Sequence, residues 1–154
     1  MPNTYSQITI QIVFVVKGRE NILTGDIRPD IFKYITGIIS NKGQIPLAVN
    51  GWKDHVHALF GLSPDTSVSE MARDIKANSS RWINENKLIK GKFSWQEGFG
   101  AFSYSKSQRD DVIKYIINQE KHHATKTFKE EYLDMLKKSE IDYEEKYLFD
   151  FYDC

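Results

Sequence analysis

The stretch QITIQIVFVVK, residues 7–17, alternates side chains in the manner of a long β-strand. Successive side chains of a strand point to opposite faces. Ile10, Ile12 and Phe14 therefore share one face, and Gln11 lies on the other. The pattern predicts a strand with one face buried in a core, and that face needs helices or a second layer to cover it.

The segments after this strand predict the remaining layers. A helix with an apolar stripe is expected within 25–43, strands at 44–52 and 55–62, a long helix at 66–87, an aromatic strand at 92–105, and helices at 107–123 and 127–139. Asn50-Gly51 is a turn signal between the second and third strands. The order predicts an α+β fold, a ferredoxin-like β-α-β-β-α-β antiparallel sheet with additional C-terminal helices.

Two helix starts carry the pattern of a capping box, in which two side chains satisfy each other's backbone N–H groups. These are Ser67 with Glu70, and Thr127 with Glu130.

We expect a single domain over residues 1–154, with a core at about 1–125 and a C-terminal helix and acidic aromatic tail at about 126–154.

Composition limits the class of protein. The 154 residues are 40% hydrophobic and 27% charged, which is typical of a globular chain. No apolar run approaches the roughly 20 residues of a membrane span, and the N-terminus lacks the pattern of a signal peptide. The single cysteine, Cys154, excludes a disulfide framework within the chain. We therefore expect a cytoplasmic protein without membrane contact.

The formal net charge of zero conceals two segments of opposite sign. Residues 1–129 hold 18 basic and 12 acidic side chains, a net charge of +6, whereas residues 130–154 hold 3 and 9, a net charge of −6. The acidic segment is either a solvated helix end or a functional surface. Its aromatic side chains predict that it docks on the body; they are Tyr143, Tyr147, Phe149, Phe151 and Tyr152.

Two of the four histidines, His55 and His57, are one residue apart on the predicted third strand. Side chains at i and i+2 share a face, and their backbones are roughly 7 Å apart. The pair can therefore hold one metal ion between them. The alternative is a pair of half-buried histidines bonded to backbone groups.

Tyr115 and Gln119 are four residues apart, so they share one face of the predicted third helix. A helix that faces the histidine strand would bring the carboxamide oxygen of Gln119 to a metal ion and place the phenol beside it. The alternative for Tyr115 is an ordinary tyrosine on an amphipathic helix. His122 and His123 follow on the same helix, and His122, seven residues after Tyr115, shares roughly the face of that tyrosine. His122 is either a structural residue, a group that supports the site or an additional ligand.

The motifs DHVHALF (54–60) and YIINQ (115–119) together resemble those of the single-tyrosine HUH transposases. These are the small transposases of minimal bacterial insertion sequences and their REP-associated relatives. IVFVVKGRENIL, IKANSSRWINE and WQEGFGAFSYS also resemble family segments, in family order. The resemblance implies that His55, His57 and Gln119 bind Mg²⁺ or Mn²⁺ and that Tyr115 is the nucleophile. Relatives often have a histidine where this chain has Gln11.

The activity implied by the resemblance is a metal-dependent DNA transposase. It would cleave and rejoin single-stranded DNA at ends flanked by imperfect hairpins, through a 5′-phosphotyrosine and without a nucleotide cofactor. A tyrosine has an ordinary pKa of about 10, and a cation beside it stabilises the phenolate. The resemblance also implies a homodimer in which the Tyr115 helix of one chain completes the His55 and His57 site of the other.

Another class of function also fits this sequence. It is a nucleic-acid-binding module with a relict site, or a metal-dependent phosphodiesterase on the same fold. The presence of all four motif side chains favours the transposase, because a relict site would be free to lose one of them.

A polar and basic stripe on the predicted second helix is a candidate DNA surface. Its members recur every three or four residues and comprise Arg73, Lys76, Ser80, Asn84 and Lys87. The alternative is a solvated helix face. Further basic side chains flank the strand ends; these are Lys17, Arg19, Lys106 and Arg109. The predicted fourth strand offers aromatic side chains for the core or for base stacking, namely Trp95, Phe99, Phe102 and Tyr104.

Overall fold

The structure is a computed structural model, and it describes residues 3–18 and 22–151. Arg19, Tyr152 and Cys154, which enter the sequence analysis, lie outside the described residues.

Four strands form one antiparallel sheet in the order β2-β3-β1-β4. The strands are β1 (Thr9–Val15), β2 (Ile45–Gly51), β3 (His55–Gly61) and β4 (Gly100–Tyr104). The helices of the described part are α1 (Arg28–Asn41), α2 (Val68–Glu85), α3 (Arg109–Ile117), α4 (Gln119–His122) and α5 (Phe128–Lys138), with short 3₁₀ turns at Lys106–Gln108 and Glu145–Tyr147. The predicted α+β fold with the ferredoxin-like order is confirmed.

Both faces of the sheet are buried, whereas the sequence predicted only one. Ile12 and Phe14 of β1 pack with α1 and α2 in the main core. On the opposite face, Val13 and Val15 pack against α5 and the tail. Gln11 is also on this second face and is 1% exposed. The alternation suggested a solvated face because Gln11 is polar, but the Gln11 side chain contacts His57 and Tyr104 inside the protein.

The predicted Asn50-Gly51 turn is wrong, because both residues belong to β2 and the chain turns after them. A Cβ at Gly51 would lie 2.1 Å from the carbonyl oxygen of His55, so only glycine fits beside β3. The Asn50 side chain donates hydrogen bonds to the carbonyls of Ile116 and Ile117, at 2.9 and 3.0 Å. It thereby fixes the end of α3 on the sheet.

The predicted strand at 92–105 is shorter than expected. Only Gly100–Tyr104 is a strand, and Trp95 makes one isolated bridge to Val16. The preceding loop is held on α2 by the ammonium of Lys76, which donates to the carbonyls of Gln96 and Gly98 at 2.7 and 2.8 Å. Gly98 has φ of +82°, which ends the extended run before β4.

The predicted helix at 107–123 is interrupted at Asn118, which separates α3 from α4. Of the two predicted capping boxes, that of Thr127 and Glu130 is complete. At the start of α2, the Ser67 side chain accepts a hydrogen bond from the backbone N–H of Glu70. No helix in the described part of the chain is long and apolar enough to cross a membrane.

The acidic tail docks through part of its aromatic set. Phe149 is buried beside Tyr132 of α5, with ring centroids 5.1 Å apart, and Phe151 packs against the same cluster. Tyr143 and Tyr147 remain 49% and 77% exposed. The tail therefore packs over α5 through its two phenylalanines.

Candidate active site

His55 and His57 lie side by side on β3, which runs between β2 and β1 in the sheet. Both side chains are fully buried, and their ring centroids are 5.1 Å apart. The Nδ1 atom of His55 is 2.8 Å from Oδ1 of Asp54, and that of His57 is 2.6 Å from Oε1 of Gln11. The pair shares one face as predicted, and side chains rather than backbone groups hold it.

Gln119 and Tyr115 reach this pair from the same chain. Gln119 begins α4, is fully buried, and places Oε1 2.9 Å from Nε2 of His55. The ring centroid of Tyr115 on α3 is 6.4 Å from that of His57. The four motif residues therefore meet in one place within a single chain.

Glu131 of α5 is at the centre of the cluster and was missed by the sequence analysis. Its Oε1 atom is 2.9 Å from Nε2 of His57 and 3.4 Å from Nε2 of His55. Its Oε2 atom accepts hydrogen bonds from the Tyr115 hydroxyl and from Nε2 of Gln119, the latter at 3.0 Å. His55, His57 and Glu131 offer ligand atoms within 4.8 Å of one another. Such a group of imidazoles and a carboxylate suits a divalent cation.

A signal for Glu131 was present in the sequence. Phe128, Tyr132 and Leu136 form the apolar stripe by which α5 packs on the sheet. Glu131 is three residues after Phe128, so it is on this buried side of the helix and is 1% exposed. A carboxylate buried on a packing stripe requires a basic side chain or a bound metal cation as its partner.

The two remaining histidines have different positions. His123 contacts the site, with Nε2 3.1 Å from Oε1 of Gln119 and its ring centroid 4.8 Å from that of His55. The ring of His122 stacks on Tyr115 at 4.2 Å, and its buried Nε2 has no hydrogen-bond partner among the described residues. His123 therefore belongs to the cluster, and His122 supports the ring of Tyr115.

The buried charges shift the protonation of the site. Burial disfavours charge on His55, but hydrogen bonds with Asp54 and Glu131 outweigh it and raise its pKa to about 9. Burial lowers the pKa of His57. Glu131 is buried too, yet the imidazoles around it hold its pKa below the ordinary range, so it is ionised. Burial and then the charge of Glu131 raise the pKa of Tyr115 above its ordinary value. The phenol would therefore need added positive charge nearby to lose its proton.

The predicted DNA stripe is on the other side of the sheet. α2 packs on the face of Ile12 and Phe14, whereas the histidines are on the opposite face. Arg73 and Lys87 are exposed, but the ammonium of Lys76 is bonded to two loop carbonyls. Ser80 donates to the carbonyl of Ala77 on its own helix at 3.2 Å.

Asn84, the other member of the stripe, exchanges two hydrogen bonds with the backbone of Phe93. The aromatic side chains before and within β4 are of two kinds, buried and half-buried. Trp95 and Phe102 are core residues, while Phe99 and Tyr104 are half-buried at the margins. Asn84, Trp95 and Phe102 therefore serve packing.

The family model described as "Transposase IS200 like" matches residues 4–119 of the chain. The chain belongs to the IS200-like transposase family. The match includes the histidine pair, Tyr115 and Gln119, and it ends before His123 and Glu131. The two residues that complete the buried cluster in this IS200-like transposase therefore come from the segment after the family core.

The similar proteins agree with this family. The ISDra2 transposase TnpA of Deinococcus radiodurans is 23% identical over 119 residues, which cover 73% of this chain and 84% of that protein. A crystal structure of a candidate transposase from Deinococcus radiodurans R1 has a TM-score of 0.62 at 20% identity, over 76% of this chain and 94% of that one. A REP-associated tyrosine transposase bound to a REP hairpin has a TM-score of 0.56 at 20% identity, over 81% of this chain and 74% of that one.

Proposed function

We propose that this IS200-like transposase cleaves and rejoins single-stranded DNA at hairpin-flanked ends through a 5′-phosphotyrosine on Tyr115, with a divalent metal. The observation that carries the proposal is the convergence of Tyr115, the histidine pair and Gln119 on one buried carboxylate, that of Glu131. These groups supply a nucleophile and the ligands for a cation in one pocket, which a binding module does not require.

In the proposed reaction the phenol oxygen of Tyr115 loses its proton and attacks the scissile phosphorus. The new O–P bond forms as the bond from phosphorus to the 3′ oxygen breaks, and the leaving 3′ oxygen takes up a proton. The cation, when bound by His55, His57 and Gln119 or Glu131, supplies positive charge that stabilises the phenolate and the phosphate. Attack by another 3′-OH reverses the step, so rejoining needs no nucleotide cofactor.

The proposed partner is single-stranded DNA with imperfect hairpins, supported by the relative that is bound to a REP hairpin. We place unpaired DNA near Tyr115, which is half-buried, rather than near the fully buried histidines. A homodimer is retained as a proposal, with each chain carrying its own complete set of site residues. Arg73 and Lys87 remain proposed contacts for a duplex stem that extends beyond the sheet.

A cleavage assay tests the proposal. The substrate is an oligonucleotide with a hairpin and a single-stranded flank, labelled at its 3′ end, since the fragment downstream of the cut stays on the tyrosine. We expect a denaturant-resistant labelled protein band with Mn²⁺ or Mg²⁺ and none with EDTA. The matched control is the same flank annealed to its complement. Equal cleavage of the paired flank, or full cleavage in EDTA, would contradict the proposal.

A further inference from the structure

The turn between β2 and β3, immediately before His55, carries a tryptophan with two cations over its ring. The guanidinium carbon of Arg28 is 4.6 Å from the ring centroid of Trp52, and the ammonium of Lys53 is 5.3 Å from it. We propose that these three side chains form a platform for an unpaired nucleotide of the DNA, in which the ring of Trp52 stacks on the base and the two cations contact the phosphates. The inference rests on the function proposed above, and it assigns the surface that holds the single strand beside the site.

Trp52 lies at the rim of the buried cluster. Its ring is nearly parallel to that of His123, with centroids 6.5 Å apart and planes 13° apart, and the centroid of the His123 ring is 4.8 Å from that of His55. The same end of β2 is tied to α3, because Asn50 donates hydrogen bonds to the last two carbonyls of that helix. Tyr115 is on α3. A strand whose phosphate reaches Tyr115 can therefore continue over Trp52.

The platform is held in place by its own hydrogen bonds. The guanidinium of Arg28 donates to the carbonyl of Leu23 at 2.8 Å, and the backbone N–H of Leu23 donates to the carbonyl of Lys53 at 2.9 Å. The backbone N–H of Trp52 donates to the carbonyl of His55 at 3.1 Å. Arg28, Trp52 and Lys53 are half-buried, so they still reach solvent. A surface that is fixed before its ligand arrives loses less conformational entropy on binding.

The charges of the two cations are not neutralised by a neighbouring carboxylate. Within residues 3–18 and 22–151, no ion pair joins Arg28 or Lys53 to an acidic side chain. The carboxylate of Asp26 accepts a hydrogen bond from a threonine hydroxyl, and the buried carboxylate of Asp54 contacts an imidazole of the site. Both positive charges therefore remain available to the phosphates of a bound strand.

An aromatic face with cations beside it is the arrangement found in surfaces that bind single strands. Every base has a π face, so stacking on an aromatic side chain tolerates any sequence, and cations beside the ring follow the backbone. A base within a duplex has both faces covered by its neighbours and cannot stack on Trp52. The platform therefore favours an unpaired flank over a paired one, whatever the sequence of that flank.

Two probes of about twelve nucleotides separate base stacking from phosphate contact. One is oligothymidylate, and the other is an abasic strand of the same length, which has the phosphates without the bases. Their affinities for the full chain are measured in EDTA by fluorescence anisotropy at several salt concentrations.

We expect Trp52→Ala to weaken the binding of oligothymidylate at least about fivefold and to leave the binding of the abasic strand unchanged. Trp52→Phe should keep most of the affinity, because it retains an aromatic face. Arg28→Gln and Lys53→Gln should each weaken the binding of both probes and reduce the slope of log affinity against log salt by about 0.7. Trp82→Ala is the matched control, since Trp82 is also half-buried but stacks on Tyr34 at 4.4 Å. It should bind both probes as the wild type does.

The abasic strand guards against a variant that merely loses its fold. Equal weakening of both probes by Trp52→Ala would mean that Trp52 only supports the turn, and it would overturn the inference. Wild-type affinity of Trp52→Ala for oligothymidylate, or no binding of oligothymidylate by the wild type, would overturn it as well, even in a chain that cleaves DNA. Binding that depends on Trp52 in a chain that cleaves no hairpin substrate would leave the inference intact and contradict only the proposed function.

Discussion

The hydroxyl of Tyr115 donates a hydrogen bond to the carboxylate of Glu131, which joins α3 to α5. The same carboxylate faces the imidazoles of the buried cluster. Glu131 is therefore both the charge partner of the histidines and the group that positions the phenol.

The first prediction concerns folding in the absence of metal. Glu131→Ala removes the anion that faces His55, whose pKa is raised to about 9. Removing one partner of a buried ion pair typically costs about 3–5 kcal/mol. We expect a loss of this order in the free energy of unfolding by urea, measured in EDTA at pH 7. Glu120→Ala, an exposed carboxylate on α4, should change stability little. Similar small losses for both variants would exclude an ionised pair.

The second prediction ranks the proposed metal-site residues by activity. His55→Ala and His57→Ala should abolish cleavage of the hairpin oligonucleotide, and EDTA should do the same to the wild type. Gln119→Ala should retain a fraction of the cleavage rate, because water can replace one neutral ligand. The rates are measured at saturating Mn²⁺. A Gln119→Ala rate lower than that of both histidine variants would reverse the predicted order.

The third prediction concerns the basic stripe on α2. If Arg73 contacts a phosphate, Arg73→Ala should reduce the slope of log affinity against log salt by about one for a hairpin substrate. Arg81→Ala is the matched control, since Arg81 is also exposed on α2 and has a side-chain partner, Asn78, as Arg73 has in Asp74, but it is not a member of the stripe. Fluorescence anisotropy at several salt concentrations measures both slopes. An unchanged slope for Arg73→Ala would indicate that the stripe is a solvated helix face that does not contact DNA.

The fourth prediction separates sites made within one chain from sites shared between two. We would mix Tyr115→Phe protein with His57→Ala protein under conditions in which labelled subunits are seen to exchange. The meeting of Tyr115 with Glu131 and His57 in one chain predicts no recovery of cleavage on mixing. The shared arrangement implied by the family resemblance predicts one restored site in each mixed dimer.

Local patterns were sufficient to predict much of this fold. The alternation of β1 and the apolar stripes of α1 and α2 follow from residues near in sequence, and the structure confirms these elements. The break at Asn118 and the short β4 were not predictable in this way. Asn50 binds the last carbonyls of α3 from another element, and the loop before β4 depends on Lys76.

The residues of the candidate site are also of two kinds, those that local spacing brings together and those that packing of distant elements brings together. His55 with His57, and Tyr115 with Gln119, are pairs at fixed local spacing, so the sequence brings each pair to one face. Asp54 is adjacent to His55, and His123 is one helical turn after Gln119, whereas Gln11 and Glu131 reach the pocket by the packing of other elements, which local spacing does not report. Of these two, Glu131 had a local signal in the sequence, as a carboxylate on the apolar stripe of α5.

The central claim is that Tyr115 carries the DNA during the reaction, and mapping the covalent adduct tests it most directly. The protein is incubated with Mn²⁺ and the hairpin oligonucleotide, digested with nuclease and protease, and the peptide that retains a nucleotide is identified by mass spectrometry. We predict a 5′-phosphotyrosine at Tyr115 and no adduct with Tyr115→Phe, while that variant still binds the hairpin. An adduct on Tyr104 or Tyr132, or an undiminished adduct in Tyr115→Phe, would contradict the account.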